Sequence, residues 1–226
     1  MAAMSAAAHE EGFLPLHRIE ALTDGIFAVA MTLLVIELKL PEHGSIESAE
    51  ALGAALIELV PKAIAWLLSF FVLAMFWVGH HRVFAFVKRA DATLVVLNLI
   101  ELAAVSLMPF ASALLGGYSS VYLVQMIFSI NMAVLAITAL VVLRYVHRHP
   151  ELGSPMPIGR FRGARLRILG VVGVSCLAAI LGAVLPYPAM GNMAFMLMAV
   201  ISPLSHRIER RAPDTAHAPE VIARSP

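Results

Sequence analysis

Charge is scarce in this chain. Only 14% of its 226 residues are Asp, Glu, Lys or Arg, against 60% hydrophobic residues, and the mean hydropathy is +0.86. A water-soluble domain of this length needs more polar surface to cover its core, so composition excludes the ordinary soluble class and points to an integral membrane protein. The net charge of +1 lacks the basic surplus that nucleic-acid binding requires. Cysteine is nearly absent. Cys176 stands alone, which rules out an internal disulfide and leaves the redox compartment unread. The opening MAAMSAAAHEEG has no basic start, apolar middle or small-residue cleavage site, so it reads as a loose tail rather than a signal peptide.

Long apolar runs are abundant. Crossing about 30 Å of hydrocarbon takes roughly 20 helical residues. Six stretches qualify, at about 20–40, 59–79, 92–115, 119–143, 168–186 and 188–204. Lipid offers no partner to an open backbone, so each is expected to be a helix. The expected fold is an all-α membrane protein with six transmembrane helices. The chain divides into a tail over 1–17, a six-helix unit over 18–206 and a second tail over 207–226. Of its 16 Lys and Arg, all but Lys39 and Lys62 fall at or beyond the same ends of these spans. The positive-inside rule then places both termini in the cytoplasm of a multi-pass cell-membrane protein. The stretch 144–167, rich in Arg, Gly and Pro, reads as a connector near anionic headgroups.

The first span, RIEALTDGIFAVAMTLLVIELKLP over 18–41, is apolar or small from Gly25 to Ile36 except at Thr32. On a helix Val29, Leu33 and Ile36 follow the i, i+4, i+7 spacing of one face, and Thr32 lies on the same side. Such a stripe is either ordinary packing or, in an oligomer, a set of apolar rings with one ring of hydroxyls. Apolar rings gate by dewetting, and hydroxyl oxygens replace part of an ion's water shell. At the Arg18 end stands Asp24, a carboxylate at membrane depth that needs partners. The second span ends in FWVGHHRVF, with Trp77 and His81 at i, i+4. The third carries Asn98 and Glu101. These groups form either one network across three helices or separate interfacial anchors.

These motifs together resemble the transmembrane protein 175 family of potassium channels. The family signature is an Arg, three residues, then Phe-Ser-Asp, followed by Gly and an apolar run. Arg18, Asp24, Gly25, Thr32 and Pro41 match it, with Leu22 in place of Phe and Thr23 in place of Ser. FWVGHHRVF and LNLIELAAVSLMPFASALLG resemble the second and third spans of the family, with Ala111 and Ser112 where Pro and Thr are usual. The resemblance implies a six-helix subunit of a homotetramer in the lipid bilayer, passing K+ and other monovalent cations down their gradient. The first helix would line the pore. Val29 would stand at the constriction, Thr32 would contribute cation preference, and Leu33 and Ile36 would be further lining. Arg18, Thr23, Asp24, Trp77 and His81 would form the inner polar network, to which Asn98 is added from its place on the third span. No carbonyl filter is implied, and the chain has no TVGYG loop. No cofactor, resident metal, nucleic acid or catalytic group is implied. Val29 is smaller than the usual gate residue, which implies a wider or more easily wetted constriction.

Three other readings start from other residues. Asp24, Asn98 and Glu101 inside the membrane would also suit a secondary cation transporter, but the chain shows no inverted repeat and no pair of broken spans. Met190, Met193 and Met196 have a spacing that suits Cu(I), or simply fill gaps in apolar helices. Cys176 has no His near it in sequence, and its neighbours Gly170, Gly173, Ser175, Ala178 and Gly182 favour close helix packing over catalysis. Glu42, Glu47, Glu50 and Glu58, before the second span, read as a solvated outer face or a cation-concentrating mouth.

Overall fold

The computed structural model describes residues 15–40, 48–185 and 188–198. The first helix, α1, runs Leu16–Leu33 and tightens into a 3-10 turn over Leu34–Glu37. A short α2 follows at Ala49–Glu58, then α3 at Val60–Phe84, α4 at Ala92–Gly117, α5 at Tyr122–Arg148 and α6 at Ile158–Val184. A 3-10 helix at Pro188–Leu197 ends the described chain. Among the described residues, five helices are long and apolar enough to cross a membrane: Leu16–Glu37 and α3 to α6.

Turn chemistry sets the helix starts. Ser48 caps α2 by accepting from the Ala51 N–H at 3.1 Å, and Asp91 caps α4 by accepting from the Leu94 N–H at 2.8 Å. Asp91 also takes the Tyr145 hydroxyl from α5, so one carboxylate both starts a helix and ties it to another. Alternation of spans brings Arg18, Lys88, Arg89 and Arg148 to the same end, here called the basic end. Two connectors pair there through an antiparallel bridge between Val87 and Gly153. Lys88 N–H donates to Leu152 O and Ser154 N–H to Phe86 O. Gly153 is required at this crossing, since a Cβ would lie 2.1 Å from Phe86 O.

Two apolar clusters fill the bundle. One, near the basic end, joins Ile19, Phe84, Leu94, Leu143 and Val146. The other fills the rest, with Phe27, Leu73, Val105, Met108, Phe128 and Leu135. One part-buried polar pair bridges its elements. Gln125 of α5 and Asn192 of the last 3-10 helix exchange two amide hydrogen bonds, at 3.0 and 2.9 Å.

The structure differs from the sequence reading at four places. α3 continues five residues past the expected 79, to Phe84. The expected connector 144–167 is mostly helix, because α5 runs to Arg148 and α6 begins at Ile158. The acidic stretch 42–58 contains α2. Glu50 and Glu58 belong to that helix, whereas Glu42 and Glu47 lie outside the described residues. The sixth apolar stretch is a 3-10 helix as far as it is described. Gly191 lies so close to α6 that a Cβ would be 2.2 Å from Ala178 O and 3.0 Å from Gly182 N. Phe195 meets Phe128 edge to face, and Met198 lines the same cleft as Val171 and His80. The segment therefore doubles back along α6 toward the basic end. The side chains of Met190, Met193 and Met196 lie outside the described residues.

Candidate functional site

Helix α1 has two apolar faces. Ile19, Thr23, Phe27, Ala30 and Leu34 recur at helical spacing and are all buried against the bundle. Leu22, Val29, Leu33 and Ile36 face the other way and are 46, 56, 43 and 50% exposed. No other element of the described chain covers them. The 3-10 turn keeps the stripe straight, since three residues per turn set Ile36 almost directly over Leu33. Below Leu33 the stripe borders a shallow groove between α1 and α4, lined by Leu22, Gly25, Val29, Leu102 and Ser106 among others.

Polar groups punctuate this outward face. Thr32 is exposed, and its hydroxyl donates back to its own helix, with Ala28 O at 3.0 Å and Val29 O at 2.9 Å as acceptors. That bond uses the hydroxyl's only proton and leaves oxygen lone pairs free to accept from water or to contact a cation. The Asp24 side chain, at the basic end of the stripe, is 48% exposed. Glu37 is exposed beyond the other end.

Asp24 is the hub of one polar set. Trp77 Nε1–H of α3 donates to Asp24 Oδ1 at 2.9 Å, and His81 Nε2 stands 3.6 Å from the same oxygen. His81 Nδ1 lies 3.3 Å from Trp77 O, and the two rings are 4.6 Å apart. The i, i+4 spacing of Trp77 and His81 puts both on the α1 side. Thr23 belongs to a second set. Asn98 Nδ2–H of α4 donates to Thr23 Oγ1 at 3.0 Å, with both side chains buried. Residues 23 and 24 point to different neighbours because helical neighbours are about 100° apart. One dipeptide thereby ties α1 to α3 and to α4.

Two candidates do not join in. Arg18 is exposed, and its side chain has no partner among the described residues. Glu101 turns away from Asn98 and faces His80, with Oε2 3.8 Å from Nδ1. The sequence reading left open whether Glu101 shares one network with Asn98, and included only Asn98 in the inner set. The signal that separates them was the His80-His81 pair, whose members must point to different places. Among the described residues no group of three or more His, Cys, Asp or Glu is placed to hold a metal ion.

The chain's relatives share this N-terminal part. The family model described as the endosomal/lysosomal potassium channel TMEM175 matches residues 18–109. A potassium channel of Chamaesiphon minutus is 44% identical over 101 residues, which cover 45% of this chain and 49% of that protein. A potassium channel of Streptomyces collinus is 40% identical over 101 residues, covering 45% and 48%. The chain thus matches about half the length of these curated relatives. In three dimensions the likeness goes further. The crystal structure of a lysosomal potassium-selective channel TMEM175 homolog from Chamaesiphon minutus superposes with a TM-score of 0.70 at 28% identity, over 84% of this chain and 97% of that one. Residues 18–109 hold Asp24, Trp77, Thr23 and Asn98 together with the exposed stripe, and over them the chain is similar to the TMEM175 family.

Proposed function

We propose that the chain is one subunit of a homotetrameric potassium channel whose pore is lined by α1. The observation that carries this reading is the outward stripe of Val29, Thr32, Leu33 and Ile36, uncovered by the rest of its own subunit. A half-exposed carboxylate at the end of the stripe suits a water-filled axis better than lipid, and the hydroxyl at its middle is compatible with either. Four copies facing an axis would give apolar rings at Val29, Leu33 and Ile36 and one ring of hydroxyl oxygens at Thr32. Passive K+ flow then needs only wetting of the apolar rings and partial replacement of water by those oxygens.

The Asp24–Trp77–His81 and Thr23–Asn98 sets hold α1 against α3 and α4, so that its free face keeps one rotation about the axis. The 3-10 segment that returns along α6 supports a sixth crossing. With six crossings and Arg and Lys concentrated at one end, the positive-inside rule favours cytoplasmic termini in a multi-pass cell-membrane protein.

The test is cation flux in liposomes containing the purified protein. Wild type carries K+ faster than Na+, and Thr32→Ala lowers that preference while flux persists. Absence of cation flux in wild type would remove the pore assignment. Saturable flux coupled to a second ion would replace the channel by a transporter.

A further inference from the structure

An open recess of about 420 Å³ lies at the basic end, between the last turn of α3 and the first turn of α6. Arg82 enters its lining from α3 and Arg160 from α6, and both are exposed. Among the described residues no carboxylate lines it. His81, the remaining titratable residue of the lining, is turned to Asp24, with Nε2 3.6 Å from Oδ1. The rest of the wall is apolar, with Val78, Ala85 and Phe86 beside the Trp77 ring. No residue of α1 lines the recess, so it is separate from the pore stripe.

Two observations distinguish this recess from an ordinary solvated basic face. The first is that backbone bonds fix its walls. Beyond α3, Phe86 O accepts from Ser154 N–H at 2.8 Å, and Lys88 N–H donates to Leu152 O at 2.9 Å. The end of α3 is thereby tied to the segment that leads into α6, and the two arginines are carried on backbones of set separation. A site built in advance loses less freedom when it binds. The second is an apolar track that leads into it. Phe71, Met75 and Val78 follow one face of α3 and are all exposed. Arg82 and Ala85 continue the same face at helical spacing. An apolar track that ends in a pair of cations matches an amphiphile with an anionic head.

We propose that this recess binds an anionic phospholipid, with its phosphate held by Arg82 and Arg160 and one acyl chain laid along Phe71, Met75 and Val78. Guanidinium suits that ligand, because its planar fork of N–H donors meets two phosphate oxygens at once. Two positive charges without a carboxylate in the lining favour a headgroup of net negative charge. A choline or ethanolamine headgroup would bring a further cation to the arginines. A free phosphate has the charge but leaves the apolar track unused.

The test uses Trp77, which lines the recess, as its reporter. Trp66→Phe removes the chain's other tryptophan. The full-length protein is placed in mixed vesicles of phosphatidylglycerol and phosphatidylcholine, with bromine near the glycerol end of one acyl chain on one lipid and then on the other. Bromine quenches an indole only at close range, so the quenching of Trp77 reports which lipid occupies the recess. The expected result is a preference for phosphatidylglycerol of about five-fold or more, which corresponds to the attraction of one arginine for an anionic membrane surface. Arg82→Ala lowers the preference, and Arg82→Ala with Arg160→Ala removes it. Arg82→Lys keeps the charge, loses the fork and falls between. Arg148→Ala with Arg165→Ala removes as much charge from the same end outside the recess and leaves the preference unchanged. Equal quenching by the two lipids overturns the proposal, as does an equal loss in the Arg148 and Arg165 variant, which would make the effect a diffuse surface charge. Absence of quenching by either lipid overturns it too, since protein would then cover the recess. Relief of quenching by inorganic phosphate at constant ionic strength would make the ligand a soluble anion instead. The comparison of the two lipids needs no arginine variant, so a misfolded one does not decide the result. Potassium flux is not read, so a chain that conducts nothing leaves this result standing.

Discussion

Trp77 Nε1 donates to Asp24 Oδ1 at 2.9 Å, joining α1 to α3 across 53 residues of sequence. Trp77→Phe removes this donor and keeps an aromatic ring in place. A charge-assisted bond contributes about 1.5–3 kcal/mol, and the 48% exposure of the Asp24 side chain lets water recover part of that loss. The expected cost is therefore about 1 kcal/mol, read as a lower midpoint of thermal unfolding in detergent. Asp24→Asn keeps an acceptor oxygen and costs less. A larger loss from Asp24→Asn than from Trp77→Phe would show that Asp24 is held by something other than the indole.

Thr23 and Asn98 make the buried counterpart of that bond, and its two ends are not equivalent. Thr23→Val strands the Asn98 amide donors with no water at hand, at a cost of about 1–3 kcal/mol. Asn98→Leu removes an amide whose Oδ1 already has no partner among the described residues. The Thr23 hydroxyl left behind turns to its own helix, as threonine hydroxyls do. Thr23→Val is expected to be the more damaging change, and the double variant close to Asn98→Leu alone. Chemical-denaturant unfolding of the four proteins checks the order, and additive losses would mean that the pair is uncoupled.

The five long spans and the polar hub were legible because hydropathy and i, i+4 spacing act within one helix. Trp77 and His81 had to share a face, and Val29, Leu33 and Ile36 had to share another. Helix ends were not legible where charge hid them. Arg160, Arg162, Arg165 and Arg167 lower the local hydropathy, yet Gly159 before them and Gly163 among them are buried, and Phe161 stacks on His147 with centroids 4.0 Å apart. The segment forms the first turns of α6, with one face on the bundle. The partners of Asp24 and Thr23 were illegible for another reason. Which of two adjacent residues meets which neighbouring helix depends on how α1 is rotated in the bundle, and spacing within α1 carries no such information.

Gly191 and Gly173 should respond oppositely to alanine. A Cβ on Gly191 would press on the backbone of α6, 2.2 Å from Ala178 O, whereas one on Gly173 meets nothing within 4 Å. Gly191→Ala must push the returning 3-10 helix away from α6 and strain the Gln125–Asn192 amide pair. Gly173→Ala only removes backbone freedom from a helix interior, and is expected to stabilise by about 0.5–1 kcal/mol. Thermal unfolding of both variants decides it. A neutral Gly191→Ala would mean that the C-terminal segment does not press on α6.

Val29 is the residue on which flux should depend most steeply. It is 56% exposed on the stripe and bears a side chain one methylene shorter than Leu. In a fourfold arrangement that shortening is repeated four times at one level, so a small change per subunit alters the bore on every side. Val29→Leu narrows the ring and makes it harder to wet, and the expected outcome is a several-fold fall in K+ flux. Val29→Asn replaces the ring by amides that hold water, and flux should rise. Neither change touches the buried face of α1, so both proteins should unfold within about 0.5 kcal/mol of wild type, the usual span for exposed sites. Equal flux from all three, with stability unchanged, would place Val29 against lipid and turn α1 away from the axis.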